Sequence, residues 1–525
     1  MGAGFNNNAP PMPDVFEQDF EVITELVRRH ARTSPDHAAL VQGEHKLDYA
    51  ALDRMMDRVA AALQRDGLRA GDAIAICSGM SLEYAVVFLG ALRAGVVVAP
   101  LAPGSGTHSL QRMVQDARAR RVFVDAAAAQ VLGQVVPSPN ITLDGSGAGQ
   151  PLQHWLADAP QSVAAVETQP EWPFNIIYSS GTTGEPKGIV QSHGMRWTHV
   201  RRGTTYGYGA DTITLLSTPL YSNTTLVVFF PTISAGGTLV LMPKFEAAQY
   251  LALAQQHHTT HTMLVPVQYQ RLMAYPGFDD FDLSSYRMKF STSAPFGAAL
   301  KADVLQRWPG GLVEFYGMTE GGGTCLLEAH LHPDKLHTVG RPAPGHDIRL
   351  IDDNGVEVAP GAAGEVVGHS GGMMTAYHGQ PDKTREAEWF DPGGKRFIRT
   401  GDIGRFDADG FLILFDRKKD MLISGGFNVY PSDLEAVIRQ HAAVLEVAVV
   451  GVPSERWGET PAAFVVLRDG LSVGADELLQ WTNAQLGKTQ RLGSLQFMGE
   501  LPRSAIGKIL KRELRDLWPP SGVAL

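Results

Sequence analysis

The stretch Tyr178-Ser-Ser-Gly-Thr-Thr-Gly-Glu-Pro-Lys-Gly188 sets the reading of the whole chain. The run before it, Phe174–Tyr178, has the apolar, β-branched and aromatic make-up of a strand. It passes directly into a segment of glycines and hydroxyls. Gly181, Gly184 and Gly188 carry no Cβ, so their backbone amides can approach an anion closely, while Ser179, Ser180, Thr182 and Thr183 add donors and Lys187 adds a charge. A plain linker needs flexibility but has no need of Pro186-Lys187-Gly188 at its end. Nor is this a Walker A loop. Counting from Gly181, that pattern requires a glycine where Pro186 stands and a Ser or Thr where Gly188 stands. The expectation is a phosphate-binding loop of another kind, entered from a strand.

The segments on either side support a sheet. Asp48 stands as N-cap to a stretch in which Leu52, Met55, Val59 and Leu63 recur at helical spacing. Ala73–Cys77 then reads as a strand, Leu82–Ala94 as a helix and Val96–Ala99 as a strand, the order of a βαβ unit and a parallel sheet. Thr212–Ser217, Thr238–Met242, Thr262–Val265 and Lys289–Thr292 are further strand candidates. The fold class expected is α/β, with doubly wound sheets in a large N-terminal domain. Beyond Pro342 the texture changes to short strands, Ile348–Ile351, Gly364–Val367 and Phe411–Phe415, separated by turns such as Asp353-Asn354-Gly355. That predicts a barrel-like β subdomain at about 343–416. The charged knot Asp416-Arg417-Lys418-Lys419-Asp420 precedes a small α+β domain with its own helix (Asp433–Gln440), strand (Val444–Val450) and helix (Gly474–Leu486). The expected boundary is therefore 1–416 against 417–525.

Composition bounds the function. A chain of 525 residues is too long for one ordinary core, and 44% hydrophobic with 19% charged residues is a globular balance. A formal net charge of −10 argues against nucleic acid as partner, but leaves room for a small anion held by amides and a few cations. Cys77 and Cys325 are too isolated for a zinc finger or a disulfide scaffold, which points to a reducing compartment. Met1–Pro13 lacks the pattern of a signal peptide, and the apolar stretches near 215–231 and 444–453 are broken or too short to span a bilayer. A cytoplasmic protein is expected.

Six motifs together carry a resemblance. After the loop come Tyr316-Gly-Met-Thr-Glu320, Thr400-Gly-Asp402, Asp416-Arg-Lys-Lys-Asp420, Ser424-Gly-Gly-Phe-Asn428 and Leu501-Pro-Arg-Ser-Ala-Ile-Gly-Lys508. In this order, and over nearly the whole chain, they resemble the adenylate-forming superfamily of acyl-CoA synthetases, luciferases and peptide-synthetase adenylation domains. The resemblance implies an ATP-dependent carboxylate–CoA ligase whose substrates are a carboxylic acid, ATP and coenzyme A, acting as monomer or homodimer. It implies nucleotide contacts from Ser179, Ser180, Gly181, Thr182, Thr183, Gly184 and Lys187. It adds Ser293, Ala294 and Pro295, then Glu314, Phe315, Tyr316, Gly317, Met318 and Thr319. Asp402 and Arg417 would meet the ribose or phosphates. Lys508 would neutralise the meeting of carboxylate and α-phosphate, Lys419 would be the hinge of a mobile small domain, and Ser424, Gly425, Gly426, Phe427, Arg456 and Trp457 would line the path of coenzyme A.

The residues also have physical readings of their own. A carboxylate at Glu320 suits Mg²⁺, which takes one or two protein oxygens beside phosphate and water, and Thr183 could supply another. In isolation Glu320 would be a solvated acid and Asp402 an Asx turn. Phosphoryl transfer leaves the protein little covalent work beyond positioning and neutralising charge, so a lysine on a moving domain fits that step. Tyr221, Ser222, Asn223, Ala294, Gly317, Gly322 and Thr324 are expected to line the acyl pocket. Gly321, Gly322 and Gly323 suggest that it is wide enough for a ring.

Two other patterns are decoys. Gly368-His-Ser370-Gly-Gly372 matches a nucleophile elbow, but no helix pattern follows Ser370. His257, His258 and His261 have metal-like spacing without a helical acid partner, and read as a polar helix end. The chain also departs from the family: Ser222 and Asn223 stand where a gating His or aromatic residue is common, and Gly487-Lys-Thr-Gln490 replaces a stretch that contacts the coenzyme A nucleotide. An alternative acceptor is a carrier protein, although no carrier module is expected after Arg515. A non-catalytic nucleotide-binding protein of the same fold is the alternative of another class.

Overall fold

The computed structural model describes residues 17–179, 186–418, 420–424, 427–454, 458–487, 490–503 and 509–518. Two large sheets organise the first three quarters of the chain. The first has eight strands, and its middle is a parallel run of Pro173–Ser179, Val97–Leu101, Ala73–Cys77 and Ala119–Val124. The second has nine, with Met288–Ser291, His261–Leu264, Ile213–Leu216 and Thr238–Leu241 in parallel near its centre. Each strand expected before residue 300 is present within a residue or two of its expected ends.

Three helices, Tyr49–Arg65, Leu82–Arg93 and Asn223–Ser234, share one core with the inner faces of both sheets. Leu82–Arg93 is buried on every side, as a helix apolar all round must be, and Ser81 caps it by accepting from the Tyr84 amide at 3.1 Å. Asp48 caps Tyr49–Arg65 as expected, accepting from Ala51 at 2.7 Å. The outer faces are covered separately: Thr107–Asp116 and Ala126–Leu132 on the first sheet, and Ala247–Gln256, Pro266–Met273 and Ala298–Arg307 on the second. This layering is that of a doubly wound α/β architecture.

After Arg341 the chain forms a five-stranded antiparallel sheet from Asp347 to Arg417. A second five-stranded sheet, Leu422–Ser424 through Ser494–Phe497, carries the helices Pro431–Ile438, Ala475–Gln485 and Lys511–Asp516 and has a core on each face. At the junction Asp416 accepts from the Ser432 amide at 3.0 Å, and Arg515 reaches Asp420 at 2.7 Å.

The strand Gly311–Met318 pairs antiparallel with Gly321–Glu328 and leaves Thr319-Glu320 as the tight connection. One local expectation is corrected: His261 is not at a helix end. It lies fully buried in His261–Leu264, between Thr260 Oγ1 at 2.8 Å and the Tyr206 carbonyl at 2.8 Å, while His257 follows the helix Ala247–Gln256 and His258 takes φ +49°.

Candidate active site

The decisive loop turns out to join two antiparallel strands. Pro173–Ser179 pairs with Lys187–Ser192, with Ser179 opposite Lys187. Ser180, Gly181, Thr182, Thr183 and Gly184 lie outside the described residues. So do Lys419, Gly425, Gly426, Arg456, Trp457 and Lys508. Tyr178 clamps the start of the loop: its hydroxyl donates to Asp116 at 2.5 Å, and the same carboxylate stands 3.6 Å from His378. Burial, before these partners, pushes the Tyr178 phenol far above its ordinary range.

Lys187 opens the returning strand with its ammonium 5.0 Å above the ring of Tyr377. Tyr377 in turn donates to Glu320 Oε1 at 2.8 Å. It arrives on the two-residue edge strand Ala376–Tyr377, paired with Ile189 and Val190, about sixty residues beyond the carboxylate it serves, a spacing no local pattern reveals. Lys187, Tyr377 and Glu320 thus form one cluster, with Glu320 only 9% exposed. One oxygen of Glu320 is taken by the phenol, leaving the other for a hard cation, and one such oxygen beside phosphate is what Mg²⁺ requires.

The second cluster lies on the opposite face of Gly311–Met318 from Phe315 and Gly317, because side chains alternate along a strand. Tyr316 donates to Asp402 Oδ2 at 2.8 Å, and Arg417 Nε meets Asp402 Oδ1 at 2.9 Å. Asp402 and Arg417, expected as ribose contacts, are therefore brought together, with Tyr316 as the third member. Ser293 holds φ +80°, an unusual conformation for a residue with a side chain, and its hydroxyl shares a 2.6 Å hydrogen bond with Thr224. Ala294 is half-buried beside it, and Pro295 is exposed.

Three features have partners that no local pattern shows. The Glu314 side chain is buried in an ion pair with Lys301, and Lys301 also donates to the carbonyls of Leu336 and Thr338. Phe315 faces Tyr206 and Phe290, at ring distances of 6.0 and 5.5 Å. Gly321, Gly322 and Gly323 do not signal a wide pocket. A side chain on Gly321 would strike the Gly372 carbonyl, one on Gly322 would come within 3.0 Å of the Gly368 carbonyl, and one on Gly323 would strike Ile348. Packing against the β subdomain demands these glycines.

The remaining acyl-side residues are ordered by hydrogen bonds. Ser222 caps Asn223–Ser234 by accepting from the Thr224 amide at 3.3 Å, a helix-start role rather than a gate. Gln191 donates to the Thr319 carbonyl at 2.7 Å and lies 3.5 Å from Asn223 Oδ1. Tyr221 and Thr324 are half-buried, and Gly317 is exposed opposite Thr324. Met318 packs partly buried against Ile189 and Met374. Ser370 is no nucleophile: it is 3% exposed and its hydroxyl accepts from the Gly372 amide at 3.1 Å. On the small domain, Ser424 and Phe427 pair across the strand turn, and the Gln490 amide closes on the Gly487 carbonyl at 2.9 Å; Lys488 and Thr489 lie outside the described residues.

This geometry can be compared with known proteins. The model of the AMP-binding enzyme family matches residues 27–378, and that of the AMP-binding enzyme C-terminal domain matches 433–508. The chain belongs to this family. It is an adenylate-forming enzyme of the acyl-CoA synthetase group, an ATP-dependent carboxylate–CoA ligase. It is 33% identical over 500 residues to a feruloyl-CoA synthase of an Amycolatopsis species, covering 93% of this chain and 97% of that one. It is 31% identical to the fatty acid–[acyl-carrier-protein] ligase ScoC of Streptomyces coeruleorubidus, over 97% and 99% of the two chains. The solved structure of ATP-bound MatB from Rhodopseudomonas palustris superimposes with a TM-score of 0.83 at 29% identity, covering 94% of this family member and 98% of that chain. No helix among the described residues is long and apolar enough to cross a membrane.

Proposed function

We propose that this ligase activates a ring-bearing hydrophobic carboxylic acid and transfers it to free coenzyme A. The observation that carries the reading is the pairing of two clusters about one strand turn: Lys187–Tyr377–Glu320 on one side and Tyr316–Asp402–Arg417 on the other. In the first step the substrate carboxylate attacks the α-phosphorus of ATP, and pyrophosphate leaves. Asp402 holds the ribose with Arg417 beside it. Lys187 and the Ser179–Gly184 loop hold the phosphates, and Lys508 neutralises the charge that accumulates on the transferring group. Glu320, steadied by Tyr377, would hold Mg²⁺ together with Thr183, and the ion would supply charge neutralisation on the phosphate oxygens. In the second step the thiol of coenzyme A attacks the acyl carbon and AMP leaves.

Between the steps the small domain, 417–525, turns about Lys419 against the body 1–416. Ser424, Gly425, Gly426 and Phe427 then line the pantetheine path, with Arg456 and Trp457 towards the nucleotide end. The acyl pocket is formed by Tyr221, Asn223, Ala294, Phe315, Gly317 and Thr324. The aromatic neighbours of Phe315 and the likeness to a feruloyl-CoA synthase support a ring acid. The likeness to a carrier-protein ligase supports a second reading of the acceptor. Two buried free cysteines, Cys77 and Cys325, agree with a reducing, intracellular setting.

The test measures pyrophosphate release with aromatic, alicyclic and medium-chain acids, followed by thioester formation with coenzyme A or with a phosphopantetheinyl carrier. Release that depends on acid, with thioester formed only on coenzyme A, is the expected outcome. Transfer confined to the carrier overturns the acceptor, and ATP binding without release for any acid overturns the enzyme reading.

A further inference from the structure

The helix His193–Arg201 and its C-cap Arg202 place three donor-rich side chains on one stripe at spacings of three: Arg196, His199 and Arg202. Arg196 is 0% exposed. Its Nε donates to Asn175 Oδ1 at 3.0 Å, its NH2 donates to Gln191 Oε1, and its NH1 lies 3.5 Å from His199 Nδ1. It also stands over the rings of Phe174 and Phe230. Every one of these partners is neutral. Arg202 is half-buried; His346 Nε2 lies 3.2 Å from it, and the Tyr206 phenol is its other polar neighbour. Among the described residues neither guanidinium makes an ion pair. The buried Arg93, by contrast, is met by Asp53 and Asp57, and the half-buried Arg399 by Glu365. An unpaired buried charge is expensive.

The tautomers sharpen the point. The Thr324 amide donates to His346 Nδ1 at 2.9 Å, so that nitrogen carries no proton. The proton of a neutral ring is then on Nε2, directed at Arg202, which also has only protons to offer. Donor faces donor. His199, accepting from Arg196 at Nδ1, likewise carries its proton on Nε2. Four side chains therefore converge with an excess of donors and no anionic acceptor. Burial moves all four in the same sense, away from charge: Arg196 to about 9, His346 to about 4, and Arg202 and His199 downwards.

The place matters as much as the charge. His346 is bonded to Thr324, whose hydroxyl sits 3.4 Å from the point where a side chain on Gly317 would begin. Arg196 is linked through Gln191 to Asn223 and to the Thr319 carbonyl. The donors thus border the proposed acyl pocket.

We propose that the acid activated by this enzyme carries a second carboxylate, remote from the one adenylated, and that Arg202 and His346 receive it, with Arg196 and His199 behind them. The proposal rests on the ligase reading. It makes the substrate a ring dicarboxylate, in which one carboxylate stays ionised in the pocket throughout both steps. Arg202 supplies a bidentate fork, the geometry carboxylates prefer, and His346 donates from Nε2 once an oxygen separates it from the guanidinium.

The full-length protein is assayed for pyrophosphate release with matched acids: 4-carboxycinnamic acid against 4-methylcinnamic and cinnamic acid, and benzene-1,4-dicarboxylic against 4-methylbenzoic acid. The expected result is a kcat/KM at least tenfold higher for the diacid of a pair. Arg202→Met should reduce that preference tenfold or more, chiefly through KM, and Arg202→Lys should restore part of it. His346→Gln, with thermal unfolding recorded for each variant, keeps the test open if Arg202→Met folds poorly. Equal or better kcat/KM for the monoacids, or a preference that Arg202→Met leaves unchanged, overturns the proposal while the ligase reading stands. No release with any acid of either class overturns both.

Discussion

The hairpin formed by Gly311–Met318 and Gly321–Glu328 handles charge in opposite ways at its two ends. Near its turn the carboxylates hold partners of their own: Glu320 takes the Tyr377 hydroxyl, and Asp402 takes Arg417 and the Tyr316 hydroxyl. Farther along, around Thr324, two guanidinia and two imidazoles meet only neutral groups or one another. In the first arrangement the protein's own side chains orient the carboxylates in advance, for a ligand whose phosphates and ribose are the same in every turnover. In the second the donors have no anionic acceptor until a ligand enters, and the selecting ligand supplies the missing charge.

That contrast can be broken at the turn. Replacing Lys508 by Ala should cost the largest effect, about 10² to 10³ in the rate of adenylation, the size seen when a group stabilising transition-state charge is removed. Thioester formation from preformed adenylate should be spared, and a rapid-quench comparison of the two half-reactions checks this. Equal losses in both would remove Lys508 from the first step. Asp402→Asn comes next. The amide retains one acceptor but loses the charge that faces Arg417, and hydrogen bonds to charged groups are worth about 1.5–3 kcal/mol, or roughly ten- to a hundredfold. KM for ATP should rise by that factor, with KM for the acid unmoved. A rise in the acid's KM instead would show that the two ends are not separate.

The glycines between the ends give a third, smaller effect, on stability. A methyl on Gly323 would enter space held by the Ile348 side chain. Gly323→Ala should therefore lower unfolding free energy by about 1–3 kcal/mol, the usual cost of overpacking. The paired change Gly323→Ala with Ile348→Val should recover part of it. Denaturant unfolding measures both, and additivity of the two losses would place the glycine's role elsewhere.

What the sequence made legible follows from locality. Strand and helix periodicity and the cap at Asp48 are properties of neighbours in the chain, and the structure agrees with them. Asp402 and Arg417 could be listed from motifs, yet their contact is made by the antiparallel register of Arg396–Phe406 with Leu412–Arg417, in which Asp402 stands opposite Arg417. Tyr377 could not be found locally, because only the edge pairing with Ile189 delivers it to Glu320. The same limit hides other contacts. Glu314 shares the face of Tyr316 along the strand, yet its side chain is taken by Lys301 on the helix packed outside the sheet. Gly321–Gly323 looked like empty space because the chain that fills it, 368–373, is some fifty residues away. Arg196, Arg202 and His346 carry no motif at all, and their meaning is an absence of partners that only three dimensions reveal.

The smallest effect probes the unsatisfied end directly. Burial, with Arg202 and then His369 adding to it, holds His346 down at about 4, against about 6.5 for a free imidazole. The folded protein therefore binds this proton later than the unfolded chain does. The stability that the neutral ring contributes is whole above about pH 6.5 and is lost as pH falls through the interval down to about 4. Between pH 7 and pH 5 the loss from this residue should be on the order of 1 kcal/mol. His346→Asn, which keeps a short polar side chain beside Thr324 but does not titrate, should unfold with a shallower dependence on pH over that interval. A dicarboxylate bound at Arg202 should act in the opposite sense to acid. By facing His346 with an anion it would raise the folded-state value, so the acid-induced loss should shrink when the ligand is present and stay unchanged with a monocarboxylate. Thermal unfolding at pH 5 and pH 7, with and without 4-carboxycinnamic acid, reads both differences in one experiment. A slope that neither the substitution nor the diacid alters would mean that His346 is held by its protein neighbours alone, and the contrast between the two ends of the hairpin would lose its chemical meaning.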